Sequence, residues 1–352
     1  MNKKKVFFSI SRNLNKINID WSEKMIVKQR EIPLVILKLE ALLRRLPPHH
    51  PKMPLIKEEI SKRKAGFKGE TSLDFPLGFL NDKRYYILHD LRLSDANRYF
   101  QMDTLILSLK FALILEVKNI SGILHFDTIY NQLFRNKDGE ESVFPCPIVQ
   151  VNRQENQLKK WFAENGFGQL PIFSKVVITN PHTGIKSIPP NVNLSQKVIH
   201  KEVLPSKIIQ IETNISENQI SEKQLKKSIR LLKKASVRSG SSILDRFQIN
   251  KEDVATGVFC PDCNLLPMIR VKRTWHCKAC RRNYKEAHIN AIKDYSLIFG
   301  TSITNRELRS FLQIESITVA TRILNSMELP HTGGYKNRKY ELISIDNKNK
   351  GF

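Results

Sequence analysis

Apolar residues recur at helical spacing over residues 34–46. Leu34, Leu37, Leu39, Leu42, Leu43 and Leu46 form one stripe, with Arg44 and Arg45 beside it. Pro33 suits the first turn of that helix, and Pro47-Pro48 ends it. A Pro- and His-rich connector follows to Pro54, in which the adjacent His49 and His50 read as solvated rather than as metal ligands. A second helix is expected from about Lys57 to Leu73, although Gly66 and Gly69 cost helix propensity unless something needs close approach there. From Tyr85 the period becomes strand-like. Residues 85–91, 101–107, 111–118 and 175–179 read as four apolar strands, with a helix over 149–164 before the last, which Asn180-Pro181 stops. Residues 191–250 are mixed, with a basic amphipathic helix over 218–235. Helix and strand thus alternate, and the pattern is α/β.

The C-terminal part carries a different signal. Cys260-x-x-Cys263 and Cys277-x-x-Cys280 are separated by thirteen residues (264–276), enough for a hairpin to bring one pair back to the other. Four thiolates suit tetrahedral Zn²⁺ and leave no open position, so a structural zinc ribbon is expected, with Trp275 and Tyr284 covering its small core. Two disulfides or two redox pairs are the alternative. Beyond it, residues 302–330 read as two helices joined by a turn at 313–315. Thr304 caps the first helix with Glu307 at the capping-box position, and Val319, Ile323 and Leu324 pack the second inward. Thr318, Thr321, Arg322 and Asn325 are then available to a major groove. Residues 331–340 read as a hairpin wing whose basic tip holds Lys336, Arg338 and Lys339. The order resembles winged-helix domains, which implies duplex DNA as a partner; a small helical pair that packs on the zinc module or binds protein is the alternative.

Within the apolar strands stand Asp103, Glu116 and Lys118. A carboxylate without a partner is expensive to bury. Period two puts Glu116 and Lys118 on one face, and a turn at 108–110 lets Asp103 face Glu116 across a hairpin. Two carboxylates can hold a hard divalent ion, Mg²⁺ or Mn²⁺, with Lys118 beside it to stabilise charge or orient a water. A structural salt bridge among the three is the competing reading.

The charge balance enlarges the picture. Lys plus Arg total 58 against 34 Asp plus Glu, a net +24 over 352 residues. Residues 1–65 hold 16 basic and 6 acidic side chains, and residues 251–352 hold 17 and 10, so no single tail explains the excess. Such a balance fits a polyanionic partner, nucleic acid or an anionic membrane surface. The length predicts two or three domains. The absence of an apolar run of about 18 residues argues against a membrane span, and the lack of an h-region ahead of a cleavage site, with five cysteines of which Cys146 alone stands outside the zinc motif, predicts a cytoplasmic protein.

Asp103 followed by Glu116-Val117-Lys118 resembles the PD-(D/E)xK pattern of restriction-endonuclease-like nucleases. More specifically, 66–70 (Gly-Phe-Lys-Gly-Glu), 85–91, 101–105, 115–119 and Gln150 followed by Gln154 are similar, in that order, to the NERD (nuclease-related) domain. The leading Pro of the pattern is replaced by Met102. The resemblance implies a mixed sheet flanked by helices and a metal-dependent nuclease acting on DNA. Within it, Glu70 becomes an added acidic site residue, Asp103 and Glu116 the metal ligands, Lys118 the catalytic lysine and Gln150 a helper. A nuclease-like scaffold that binds DNA without cutting it is one alternative, and RNA as the substrate is another. The expected organisation is a basic helical extension (1–59), the nuclease-like domain (60–182), a connector (183–250), the zinc ribbon (251–292) and the winged-helix-like domain (293–352).

Overall fold

The computed structural model describes residues 26–80, 84–190, 193–238, 240–334 and 337–342. They form two compact units. Among the described residues, one holds 26–31 and Ala65–Arg238; the other holds Ile32–Lys64 and the described residues of 240–342.

The elements run β1 (Ile26–Lys28), α1 (Leu34–Arg45), α2 (Met53–Thr71), α3 (Asp74–Leu77), β2 (Tyr86–Asp95), β3 (Arg98–Leu107), β4 (Ala112–Lys118), β5 (Ile123–Asp127), β6 (Gln132–Lys137), β7 (Glu140–Pro145) and α4 (Pro147–Glu164). There follow β8 (Ile172–Ile178), β9 (Gly184–Ile188), α5 (Leu194–Lys197), β10 (Val198–His200), α6 (Leu204–Thr213), α7 (Glu222–Ala235) and α8 (Ile243–Phe247). The chain closes with β11 (Ile269–Val271), β12 (Thr274–His276), β13 (Asn283–Tyr284), α9 (Ala287–Ile298), β14 (Ser302–Thr304), α10 (Asn305–Leu312), α11 (Ile317–Ser326), β15 (His331–Thr332) and β16 (Lys339–Glu341).

The first unit is mixed α/β. Its main sheet has the order β1-β2-β3-β4-β8-β10. β2, β3 and β4 form an antiparallel meander, while β8 and β10 join parallel to β4. Parallel strands need a crossover, and α4, started by Pro147 at its first turn, supplies the one between β4 and β8. β4 is buried along Ala112–Val117 because both its faces are covered, which is why it reads as an unbroken apolar run. Ala112 and Ile114 pack with Leu158 and Phe162 of α4 and with Leu225, Ile229 and Leu232 of α7. Leu113, Leu115 and Val117 point the other way, towards Leu204 and Ile208 of α6. The basic helix α7 opens on a capping box between Ser221 and Gln224.

A second, four-stranded sheet, order β7-β6-β5-β9, was not read from the sequence. Its signal is weak because β6 and β7 have few buried positions. Only Leu124, Phe126 and Leu133 supply a buried apolar row, which packs with Val151 of α4 and Val176 and Ile178 of β8.

In the second unit, α1 and α2 share a core with α8 and Ile298 of α9 through Leu39, Leu42, Met53, Ile56, Leu244 and Phe247. Arg45, fully buried, donates from Nε to Asp294 Oδ2 at 2.9 Å and from Nη1 to the Ala255 and Gly257 carbonyls, and stacks near the Phe259 and Phe311 rings. This guanidinium, beside the apolar stripe in the sequence, is thus a core group held by one carboxylate and two carbonyls. The zinc-type motif lies on the three-stranded sheet β11-β12-β13. Helices α10 and α11 follow β14, with Thr304 and Glu307 forming the expected capping box, and β15 and β16 complete an antiparallel sheet with β14. Among the described residues, no helix is long and apolar enough to cross a membrane.

Candidate active site

The first unit brings the charged residues of its strands together. β3 and β4 pair Thr104 with Leu115, a register that places Asp103 opposite Glu116. There the ladder is replaced by a side-chain bond: Asp103 Oδ2 accepts from the Val117 N–H at 2.8 Å. Glu116 and Lys118 share the α4 face of β4. Lys118 Nζ donates to Glu116 Oε1 at 2.7 Å and to Gln150 Oε1 at 3.2 Å, and Gln154 Nε2 donates to Glu116 Oε2 at 2.9 Å. Gln150 and Gln154 stand one helical turn apart on α4, so one face of that helix reaches both groups. Gln154 is itself held by the Gln101 carbonyl at 2.8 Å. Glu116 is 4% exposed, so its charge is met by named donors rather than by water.

Glu70 reaches this cluster from the end of α2. An added Cβ on Gly69 would meet Asn119 Cβ at 2.6 Å and Thr179 Oγ1 at 3.0 Å, so only glycine lets the helix close on the strand ends there. Gly66 has no such reason: a Cβ there would meet nothing within 4 Å. The expectation of close approach holds for Gly69 and is corrected for Gly66. Gly69→Ala is expected to destabilise the unit by about 1–3 kcal/mol through overpacking and to shift Glu70 away from the cluster. Gly66→Ala is expected to be neutral or stabilising by a few tenths to about 1 kcal/mol. Urea unfolding of both variants tests the contrast, and equal midpoints would sink it.

The electrostatics are those of crowded carboxylates. Burial, then Asp90, push the Glu70 carboxyl up to about 7; Arg30 works against them and Glu116 adds to the rise. Burial, then Glu116 and Glu70, hold the Asp103 carboxyl well above the usual carboxylate range, with the Val117 N–H and Lys118 opposing. Like charges this close disfavour joint ionisation, and a cation among them relieves it. The donor set is all oxygen, which suits Mg²⁺ or Mn²⁺ rather than a soft metal. The residues present therefore fit a hard divalent ion, with Asp103 and Glu116 as the carboxylates that would hold it.

Three neighbours were given no site role from the sequence, although Gln154 was named beside Gln150. Asp90 lies opposite Asp103 in the β2–β3 register, and its φ of +51° interrupts the ladder between the His89–Thr104 and Leu91–Met102 pairs. A carboxylate within the apolar run 85–91 was its available signal. Gln154 had one too, its one-turn spacing from Gln150. Arg30, from the segment after β1, had none.

His89 is buried, with Nδ1 3.0 Å from Thr104 Oγ1 and Nε2 without a partner among the described residues. Burial first, then Arg30 and Lys28, push its imidazole down to about 3. An unfolded imidazole titrates near 6.5. Between these values the unfolded chain binds a proton that the fold refuses, so this contribution is complete above about pH 6.5 and is lost as the pH falls. The loss between pH 6.5 and 4.5 is expected to be about 2 kcal/mol. The raised carboxylates nearby act in the opposite sense, so the test is the difference between wild type and His89→Gln in urea unfolding at pH 7 and 4.5. Parallel slopes would refute it.

In the second unit, each C-x-x-C pair sits on a tight knuckle. The N–H groups of Asn264 and Arg281 bond to the carbonyls of Cys260 and Cys277, and both residues have φ of +58°. Cys260 and Cys280 sulfurs are 3.5 Å apart, Cys263 and Cys277 sulfurs 3.4 Å, and all four lie within 4.8 Å of one another. A tetrahedron with Zn–S near 2.3 Å needs sulfurs about 3.8 Å apart, so the cluster fits zinc. The β11–β12 hairpin returns the second pair, and Trp275 is fully buried with its Nε1 donating to His288 Nδ1 at 3.1 Å. All five cysteines are free of disulfides. Among the described residues this is the one group of three or more His, Cys, Asp or Glu ligand atoms so close together, so the carboxylate cluster of the first unit is the looser of the two.

On α11, Thr318, Arg322 and Asn325 are exposed, while Ala320, Ile323 and Leu324 are buried and Val319 packs from the edge of the core. Thr321 departs from the expectation. It is half-buried, its hydroxyl donates to the Ile317 carbonyl, and Asn305 Nδ2 donates to it at 2.9 Å. Lys339 is exposed on β16 and Arg338 is half-buried. Lys336, expected at the basic tip, lies outside the described residues.

Comparison with the curated proteins and with the solved structures finds no match. The family model of the nuclease-related domain does match, over residues 65–179, a span from the last turns of α2 to the end of β8 that contains Glu70, Asp103, Glu116, Lys118 and Gln150. The chain therefore carries a NERD domain in its first unit and a four-cysteine cluster of zinc-ribbon type in its second.

Proposed function

We propose that the chain is a metal-dependent nuclease that hydrolyses phosphodiester bonds in DNA. The observation that carries this reading is the meeting of Asp103, Glu116, Lys118 and Gln150 at the strand ends, with Glu70 beside them. A bound Mg²⁺ or Mn²⁺ would polarise a phosphate oxygen and lower the pKa of a water. Asp103 and Glu116 would hold that charge in place. Gln154 and the Val117 N–H fix the two carboxylates, so little reorganisation is needed when negative charge grows on the phosphate. Lys118, 25% exposed, can reach substrate from its place between Glu116 and Gln150, and supplies positive charge to the attacking or non-bridging oxygen. Gln150 sets the direction of the lysine.

The second unit supplies affinity for duplex DNA. Thr318, Arg322 and Asn325 are spaced to lie on one exposed helix face, Lys339 contacts phosphate, and the overall +24 adds sequence-independent attraction that falls with salt. Structural Zn²⁺ on Cys260, Cys263, Cys277 and Cys280 holds the ribbon.

One observation favours a non-catalytic DNA-binding scaffold instead: both oxygens of Glu116 already accept a hydrogen bond. The deciding experiment is incubation of supercoiled plasmid with the purified full chain in Mg²⁺, Mn²⁺ or EDTA. Nicking in the metals and not in EDTA supports the nuclease. Duplex binding without cleavage in any metal supports the scaffold.

A further inference from the structure

We infer that Arg30 is a positioning residue for the candidate active site: its guanidinium, spread between Glu70 and Asp74, fixes the Glu70 carboxylate beside Asp103 and Glu116. This rests on the metal-dependent reading given above.

Arg30 Nη1 lies 3.4 Å from Glu70 Oε2 and Nη2 lies 3.4 Å from Asp74 Oδ1. Its side chain is 5% exposed, and its buried Nε has no partner among the described residues. A guanidinium taken out of water on two long contacts, with a third donor unmatched, is a poor stabilising device. Its burial is better explained by what it does to the carboxylates.

The backbone carrying Arg30 is fixed on both sides. Before it, Lys28 Nζ donates to the His89 carbonyl at 2.6 Å and to the Asp90 carbonyl at 2.9 Å, and β1 runs parallel to β2. After it, Glu31 accepts from Arg238 at 2.8 Å. Arg30 is thus held against the side of the cluster where Glu70 and Asp90 meet. Without a cation there, Glu70 faces Asp90, Asp103 and Glu116, and repulsion drives it away from them. Arginine suits the task because its planar fork spans two carboxylates, which an ammonium cannot do at once. At 5% exposure it is poorly placed to touch a phosphate itself, so it acts through Glu70.

The test is Mn²⁺ binding by calorimetry to the zinc-loaded full chain, beside plasmid nicking. Arg30→Ala is expected to weaken Mn²⁺ about tenfold, the scale seen for groups that orient metal ligands. Simple removal of a nearby positive charge predicts the opposite, tighter Mn²⁺. Glu70→Gln is expected to weaken it similarly, and the double variant no further. kcat falls about tenfold with the KM for DNA unchanged. Arg30→Lys, reaching one carboxylate, is expected to lose about threefold and keeps the test open if the alanine variant unfolds. Unchanged or tighter Mn²⁺ in Arg30→Ala, multiplying losses in the double variant, or wild-type affinity in Arg30→Lys each overturn the inference. So does a wild type that binds no Mn²⁺. If the expected Mn²⁺ series appears but no variant nicks DNA, the nuclease reading fails and the role of Arg30 stands.

Discussion

Glu116→Gln and Lys118→Ala are each expected to lower metal-dependent plasmid nicking about a thousandfold. A thousandfold corresponds to about 4 kcal/mol of transition-state stabilisation, the upper range for removing one preorganised electrostatic group. The two variants act differently. Glu116→Gln keeps the shape of the side chain but withdraws a charge from the metal and turns one of its two accepting positions into a donor. Loss of Lys118 leaves Glu116 Oε1 without its donor at 2.7 Å and removes the cation from the phosphate. Gln150→Ala removes only a partner of Lys118, so about tenfold is expected, in line with a group that orients another. Steady-state nicking rates with far-UV circular dichroism as a fold control make the measurement. Rates within about tenfold of wild type for both Glu116→Gln and Lys118→Ala would count against catalysis at this site.

The largest stability effect is expected from zinc. Structural four-ligand sites in small zinc modules carry about 10–16 kcal/mol of apparent binding free energy, which is also folding free energy. Here Cys260 and Cys277 are fully buried in one core with Trp275, Ile292, Leu308, Phe311 and Leu324. Damage to the ribbon therefore reaches α9, α10 and α11. Stripping the metal, or Cys277→Ser with Cys280→Ser, is expected to abolish cooperative unfolding of the second unit while the first unit retains its own transition. Chromophoric chelator assay is expected to release one zinc per chain from the wild type. A metal-free chain with two unchanged transitions would refute the role. Loss of zinc should also remove duplex binding well before it touches the carboxylate cluster.

Much of this was legible from residue order alone, for identifiable reasons. β4 announces itself because a strand covered on both faces is apolar at every position, and the charges within it had to be either paired or functional. α10 was marked by Thr304 and Glu307, whose reciprocal bonds are local and need no tertiary context. The four cysteines carry their geometry in their spacing. What escaped depends on partners distant in sequence. The second sheet has short, polar strands whose pairing of β5 with β9 joins residues some sixty positions apart. Nothing beside the apolar stripe marks Arg45 as buried, because its partner Asp294 lies about 250 positions away. Thr321 looked free on a helical wheel, but Asn305 of the preceding helix occupies it. Arg30 acquires its meaning only through β1, whose pairing with β2 crosses about sixty residues.

The division of the chain into two interleaved units governs the order in which it can fold during synthesis. Residues 32–64 leave the ribosome early, yet the residues that cover Leu39, Leu42, Met53 and Ile56 include Ile243, Leu244, Phe247 and Ile298. Ala65–Arg238 must be made in between, and at about 5–20 residues per second that takes roughly 10 to 35 s. For that interval the first unit can complete its sheet while two greasy helices wait without their cover. The nascent chain is thus most prone to sticking when its nuclease-related half is already formed, and the half that carries the cysteine cluster matures last.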